Sequence, residues 1–510
     1  MDIRMKKNLY LTGAALLMLA AAQGVSAQTT PFMKVVAADG SGDYTTIQAA
    51  INACATDGTR SFVFIKNGTY SEQVTVPSKV VLSLLGEDRD KVVITHKLSH
   101  NDEADKSKTS TLYVTSYDMY GENFTTENTV GRNGGQAECM TNDGDRLTLR
   151  NVAMKANQDG VRFDNASRSY LADCYIEGTV DYIYDSGIAY LDNCTIKQLY
   201  PGYVIAPGDS YVTIDRTTSY ERCGQKKLWG IGINIRDSKL IYDEANVGTG
   251  ASYLGRPWGK TTSSGMYIRC KMDKHIAEAG FTNMSEGNKK YIGEYKSTDL
   301  DGNAIDVSKR ISWEFTEDAA HNAQYIDQKV IDNIYDMDYI FTLAGEKGAR
   351  AGGKFEPIPL VTPAAAPTNV THDGGKFQWT AAADALGYLI YKDGRYVANT
   401  TGTTYEDDSY SSTSKYTLRS ISQTGCMGEE VDMTTTGIET VKAKATDVLV
   451  SADGIHFGEE AQAALYSMDG CLVSKNVGTS LNWNNAAKGC YILKARTASG
   501  NAISQKIVRK

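Results

Sequence analysis

Two acids and two amides recur at one interval in this 510-residue chain. Asp159 and Asp181 are 22 residues apart, and so are Gln136 and Gln158. If the chain winds in coils of about that length, Gln158 falls beside Gln136 and Asp181 beside Asp159, all on one face. Carboxylates held that close cannot both ionise freely, so one pKa should rise while the other stays low. Such a divided pair can supply a nucleophile and a general acid. Asp181 lies in "GTVDYIYD", among β-branched and aromatic residues that read as a buried strand, where an unpaired charge is costly. Arg256 in "YLGRPWG" is the cation expected to hold it ionised, because a guanidinium grips a carboxylate with two parallel bonds. Trp258, two residues on, offers a flat apolar surface. Taken singly, each feature has a plainer reading: a structural ion pair, a glutamine ladder, a packed tryptophan. Equal spacing of four residues together with Arg256 and Trp258 favours chemistry.

The elements that would position these residues are visible as a repeat. "LRNVAM" (Leu149 to Met154), "LADCYI" (Leu171 to Ile176) and "LDNCTI" (Leu191 to Ile196) align without gaps, their starts 22 and 20 residues apart. Each is a short alternating strand, and short strands at a period near 20 mark a stacked solenoid. The reading is all-β: a right-handed parallel β-helix over residues 33–350, followed by two small C-terminal β-sandwich-like modules. In such a stack Cys174 and Cys194 become neighbours at a distance a disulfide tolerates. They could bond or remain two buried thiols. Nine cysteines, none grouped as CxxC, do not suggest structural zinc.

Four of the nine prolines fall between Pro357 and Pro367, and residues 351–367 read as a linker. Residues 368–436, with Trp379, a strand through Tyr388 to Tyr391 and another at Tyr416, carry the strand spacing of a small sandwich and resemble a fibronectin type III module. Residues 437–510 resemble the C-terminal sorting domain of type IX secretion. At the other end, Arg4, Lys6 and Lys7 precede an apolar run from Leu9 to Ala22 and a "VSA" before Gln28, the pattern of a secretory signal cleaved after Ala27. The run is short of the ~20 residues a membrane span needs. These ends predict a secreted or cell-surface protein. With 41% hydrophobic and 22% charged residues and a formal charge of −8, the chain has material for a core and no basic surface for nucleic acid.

"GSGDYTTIQAAINA", "IKNGTYSEQV", "GGQAEC", "NQDG", "GTVDYIYD" and "LGRPWG" occur in that order between residues 35 and 345. Together they resemble the motifs of the pectin methylesterases. The resemblance implies a parallel β-helix with no metal or organic cofactor, acting as a monomer on methyl-esterified homogalacturonan. It implies Asp181 as nucleophile, Asp159 as general acid/base, Gln158 as oxyanion donor with Gln136 lining the same pocket, Arg256 orienting Asp181, and Trp258 on the substrate. The chain departs from that pattern in Gly160 where Thr is usual, in Tyr182 and Tyr184 where Phe is usual, and in Asp185 where Gly is usual.

Two other functions fit parts of the sequence. A calcium-dependent pectate lyase would share the solenoid but needs clustered acidic ligands, and "DLDGN" around Asp299 stands alone. A non-catalytic carbohydrate-binding solenoid would lack one of the two acids. A Ser-His hydrolase is disfavoured because the six histidines lie away from these motifs in the sequence and no GxSxG elbow occurs.

Overall fold

A computed structural model describes residues 31–103, 105, 108–164, 166–215, 228–285, 289–311, 336–434, 448–450, 454–467, 472–482, 486–487, 489–498 and 502–509. The signal segment predicted over 1–27 lies outside the described residues. From Lys34 to Tyr295 the chain is a right-handed parallel β-helix. One face is a ten-stranded parallel sheet with one strand per coil, from Lys34–Val36 to Lys289–Tyr295. The other faces form one thirteen-stranded sheet, because the long strands Tyr175–Asp185 and Thr195–Pro207 run through a corner and join them.

The three aligned segments occupy one register. Leu149 pairs with Leu171, Leu171 with Leu191 and Leu191 with Ile235, and all four are fully buried in the solenoid interior. Stacking like on like lets each coil bury what a single coil could not. The polar residue at the third place of each segment is explained by the backbone. Asn151, Asp173 and Asn193 turn the corner at φ 49, 56 and 52, the left-handed region that Asn and Asp tolerate best. Cys174 and Cys194, one residue further on, are buried free thiols and form no disulfide.

Outside the ten-stranded face, the helix Met337–Lys347 packs Ile340, Phe341 and Ala344 against Tyr170 and Tyr190. Its anchor is the fully buried pair Arg168–Asp145. Arg168 donates to Asp145 at 2.7 and 3.0 Å and to the carbonyls of Phe341, Gly352 and Gly353.

The proline-rich stretch expected as a linker is packed. Its short helix Pro357–Leu360 sets Leu360 and Val361 against hydrophobic clusters of the solenoid. Residues 368–432 then form a three-stranded and a four-stranded antiparallel sheet whose inner faces meet through Phe377, Trp379, Tyr388, Ile390, Tyr416 and Leu418. This sandwich is docked on the solenoid. Leu389, Tyr391, Tyr396 and Met427 share a buried cluster with Phe64, Leu85 and Tyr120. The buried Glu122 carboxylate accepts from Tyr120 Oη at 2.8 Å and from the Met427 N–H at 3.0 Å, and pairs with Arg150. Thr435–Lys510 is a separate compact unit built on a five-stranded antiparallel sheet with its own core around Leu465, Leu481 and Leu493.

Candidate active site

Both acids sit at a second left-handed corner. Asp159 has φ 59 and Asp181 φ 53. Val161 pairs with Ile183 and the Asp159 N–H donates to Val180 O at 3.0 Å, so the 22-residue offset places the two aspartates on adjacent coils. The strand carrying Asp181 is irregular there, with register shifts between Gly178 and Val180 and between Val180 and Ile183. Gly178 permits the distortion, since a Cβ on it would lie 2.3 Å from Tyr182 Cβ.

Asp181 is 6% exposed and takes Arg256 in a two-pronged pair, Nε to Oδ1 at 2.8 Å and Nη2 to Oδ2 at 2.6 Å. Arg256 reaches back from the coil after Tyr203: its own N–H donates to Ile205 O at 3.0 Å, and its guanidinium lies 4.1 Å from the centre of the Tyr203 ring. Asp159, also 6% exposed, accepts from Gln136 Nε2 at 2.9 Å. Gln136 and Gln158 are bridged as neighbours in the stack. The Gln158 amide has no hydrogen-bond partner among the described residues, whereas one N–H of Gln136 is committed to Asp159. Trp258 is 37% exposed, and its Nε1–H donates to Ala206 O at 3.0 Å.

Burial pushes Asp159 up to about 7, helped by the charge of Asp181. Burial also raises Asp181, against the pull of the Arg256 hydrogen bonds and charge. The sequence expectation that one carboxyl would stay low is therefore corrected: both rise, because both leave water. Asp159 rises far enough to carry the proton of the pair near neutrality, while Asp181 has the counter-ion. A protonated acid beside a gripped carboxylate, with a free amide donor adjacent, has the parts of an acyl-transfer site.

Three polar residues at this site escaped the sequence reading. Glu138, in "GGQAEC", is completely buried. It accepts from Tyr184 Oη at 2.6 Å and Thr109 Oγ1 at 2.7 Å, and His100 Nε2 lies 2.9 Å away. His100 lies away from the motifs in the sequence, but the fold carries it across a 38-residue separation to Glu138. The available signal was a lone acid between the buried Ala137 and Cys139.

The departures from the expected pattern also have physical settings. A Cβ at Gly160 would meet Ala156 Cβ at 2.9 Å, so a larger residue there would have to displace that contact. Tyr182 is buried in the solenoid core with a hydroxyl that has no partner among the described residues. Asp185 stands at φ 87, a region that favours glycine, and takes Arg162 Nε at 2.7 Å.

The pectinesterase family model matches residues 33–333. The chain belongs to the pectinesterase family. It is a carboxylic ester hydrolase. It is 32% identical over 278 residues to "Probable pectinesterase A" of Neosartorya fischeri, a match spanning 53% of this chain and 79% of that one. It is 31% identical over 295 residues to "Pectinesterase 2" of Citrus sinensis, covering 56% of this chain and 54% of the relative. Among solved structures it is similar to the pectin methylesterase from carrot, at 26% identity and a TM-score of 0.48, covering 57% of this chain and 88% of that one. The pectinesterase match ends before the sandwich at residues 368–432.

Proposed function

We propose that this pectinesterase hydrolyses the C6 methyl esters of galacturonosyl units in pectin, with Asp181 as nucleophile and Asp159 as general acid/base. The observation that carries the reading is the two-pronged Arg256–Asp181 pair on the coil next to an Asp159 whose proton is held to about pH 7. Asp181 Oδ attacks the ester carbonyl carbon. The free Gln158 amide donates to the oxyanion, a contribution of about 3 kcal/mol for a well-placed donor, and Gln136 lines the same pocket. As the tetrahedral species collapses, the bond from carbon to methoxyl oxygen breaks and Asp159 gives its proton to that oxygen, so methanol leaves. The remaining mixed anhydride is attacked by water, whose proton returns to Asp159 as Asp181 is expelled as a carboxylate. The galacturonic acid formed loses its proton to solvent, and the site is reset. The partly exposed Trp258 side chain supports a sugar ring.

The test is methanol release from highly methylated pectin by the full chain and by Asp181→Asn, with pectin binding measured in parallel. Loss of methanol release with binding retained supports the enzyme. Methanol release unaffected by Asp181→Asn would remove the nucleophile assignment. A chelator arm separates the lyase reading, which predicts metal dependence and unsaturated products; Asp299, the lone acid too isolated to favour that reading, is engaged with the N–H and side chain of Asn303.

We further read residues 368–436 as a fibronectin type III-like module, supported by its three-plus-four strand arrangement, and residues 437–510 as a type IX sorting module, supported by the compact unit that holds them. With the N-terminal signal pattern, these readings make the protein an exported one that would engage the type IX machinery. Among the described residues no helix is long and apolar enough to cross a membrane.

A further inference from the structure

We infer that Glu138, clamped by His100, Thr109 and Tyr184, is a positioning residue whose buried charge sets how tightly Asp159 holds its proton. This rests on the reading of Asp159 as the general acid. Glu138 has no exposed surface, and its neighbours Ala137 and Cys139 are core residues, so an apolar side chain would suit the position at lower cost. The chain instead brings three donors to it from sequence separations of 29, 38 and 46 residues. Burial pushes the Glu138 carboxyl up, but the hydrogen bonds from His100, Tyr184 and Thr109 outweigh it and keep the group below its ordinary value, hence ionised. Because its acceptor is a carboxylate, His100 Nε2 carries the donated hydrogen.

The cluster is mechanically joined to Asp159. The His100 N–H donates to Gln136 O at 2.9 Å, and the Gln136 amide donates to Asp159 Oδ2. The charged and titratable groups facing Asp159 are Asp181 on the next coil, Glu138, His100, Tyr184 and Arg256. Asp181 and Glu138 make it more basic, and His100 opposes them. The Tyr184 hydroxyl is kept neutral by burial and by the charges of Glu138 and Asp159, so it acts as a donor rather than a charge. Fixed negative charge behind Asp159 helps both half-reactions: it preserves the proton until methoxide departs, then makes the resulting carboxylate a stronger base toward water.

The experiment is the pH profile of kcat/KM for methanol release from methylated pectin, which reports the groups of the free enzyme. In the folded full chain, Glu138→Gln should move the alkaline limb down by about one pH unit. Glu138→Asp, which retains the charge, should keep the limb in place even where kcat falls. An unmoved limb in folded Glu138→Gln overturns the inference. Should that variant fail to fold, a ¹³C NMR titration of aspartate carboxyls in the wild-type chain tests the raised pKa that the inference requires, with Asp159 assigned by the signal lost in Asp159→Asn. Titration above about pH 5.5 is expected, and titration at or below it, within the ordinary aspartate range, overturns the inference. Full activity in Asp159→Asn would instead remove the general-acid reading itself, a separate failure.

Discussion

Two of the solenoid's stacks of left-handed corner residues share a backbone conformation and differ in charge and burial. At the structural corner Asn123, Asn151, Asp173 and Asn193 satisfy each other: Asn151 Nδ2 donates to Asn123 Oδ1, and Asn193 Nδ2 to Asp173 Oδ1, both at 2.6 Å. Amide alternates with acceptor, and Asp173 and Asn193 are exposed to water. At the reactive corner an acid stands on an acid, both buried, with no amide between them. The conflict is resolved from outside the stack, by Arg256 on one side and by Gln136 and a retained proton on the other. A left-handed corner thus gives the solenoid a row of short polar side chains at one strand spacing. Whether that row is structural or reactive depends on like charge and desolvation, not on the turn.

The contrast can be broken most severely by making the reactive corner resemble the structural one. Asp181→Asn creates an amide-on-carboxyl stack and should lower methanol release by about 10⁶-fold, the scale of a lost nucleophile, with the melting temperature little changed. Arg256→Lys replaces a fork by a point charge. A fall in kcat of about 10²-fold is expected, with the acid limb of the profile moving to higher pH because Asp181 loses part of what opposes its burial.

Asp159 provides a thermodynamic version. Its folded pKa of about 7 lies above its unfolded value, so the folded state binds the extra proton between them, and the associated stability is present at pH 4 and lost as pH rises through 7. Asp159→Asn should therefore be more stable than the wild type at pH 8, by on the order of 3 kcal/mol, with the difference vanishing near pH 4. Melting curves at the two pH values check it, and equal differences at both would show that Asp159 titrates normally. The smallest effect is expected from converting the structural corner: Asn193→Asp sets like charges beside each other in water, and should cost no more than about 0.5 kcal/mol, diminish in salt and leave methanol release unchanged.

The coil period, the leucine ladder and the corner asparagines were legible because a solenoid repeats its local contacts in sequence. Leu149, Leu171 and Leu191 announce their registry by spacing alone. The Asp159–Asp181 and Gln136–Gln158 neighbours followed from the same arithmetic. His100 and Tyr184 could not be placed this way, since their meeting at Glu138 depends on a loop crossing coils and on a strand that shifts register around Gly178. The docking of residues 368–432 was hidden for another reason: proline-rich composition describes the chain's local stiffness and says nothing about which apolar face will cover it.

Sequence alone determined which groups recur, at what interval, and hence that two acids and two amides would fall on neighbouring coils, because hydrogen bonding between parallel strands fixes translation along the stack. Tertiary structure alone decided their protonation. That depends on how completely water is removed from Asp159 and Asp181, and on charges such as Arg256 and Glu138 whose approach is set by folding in space.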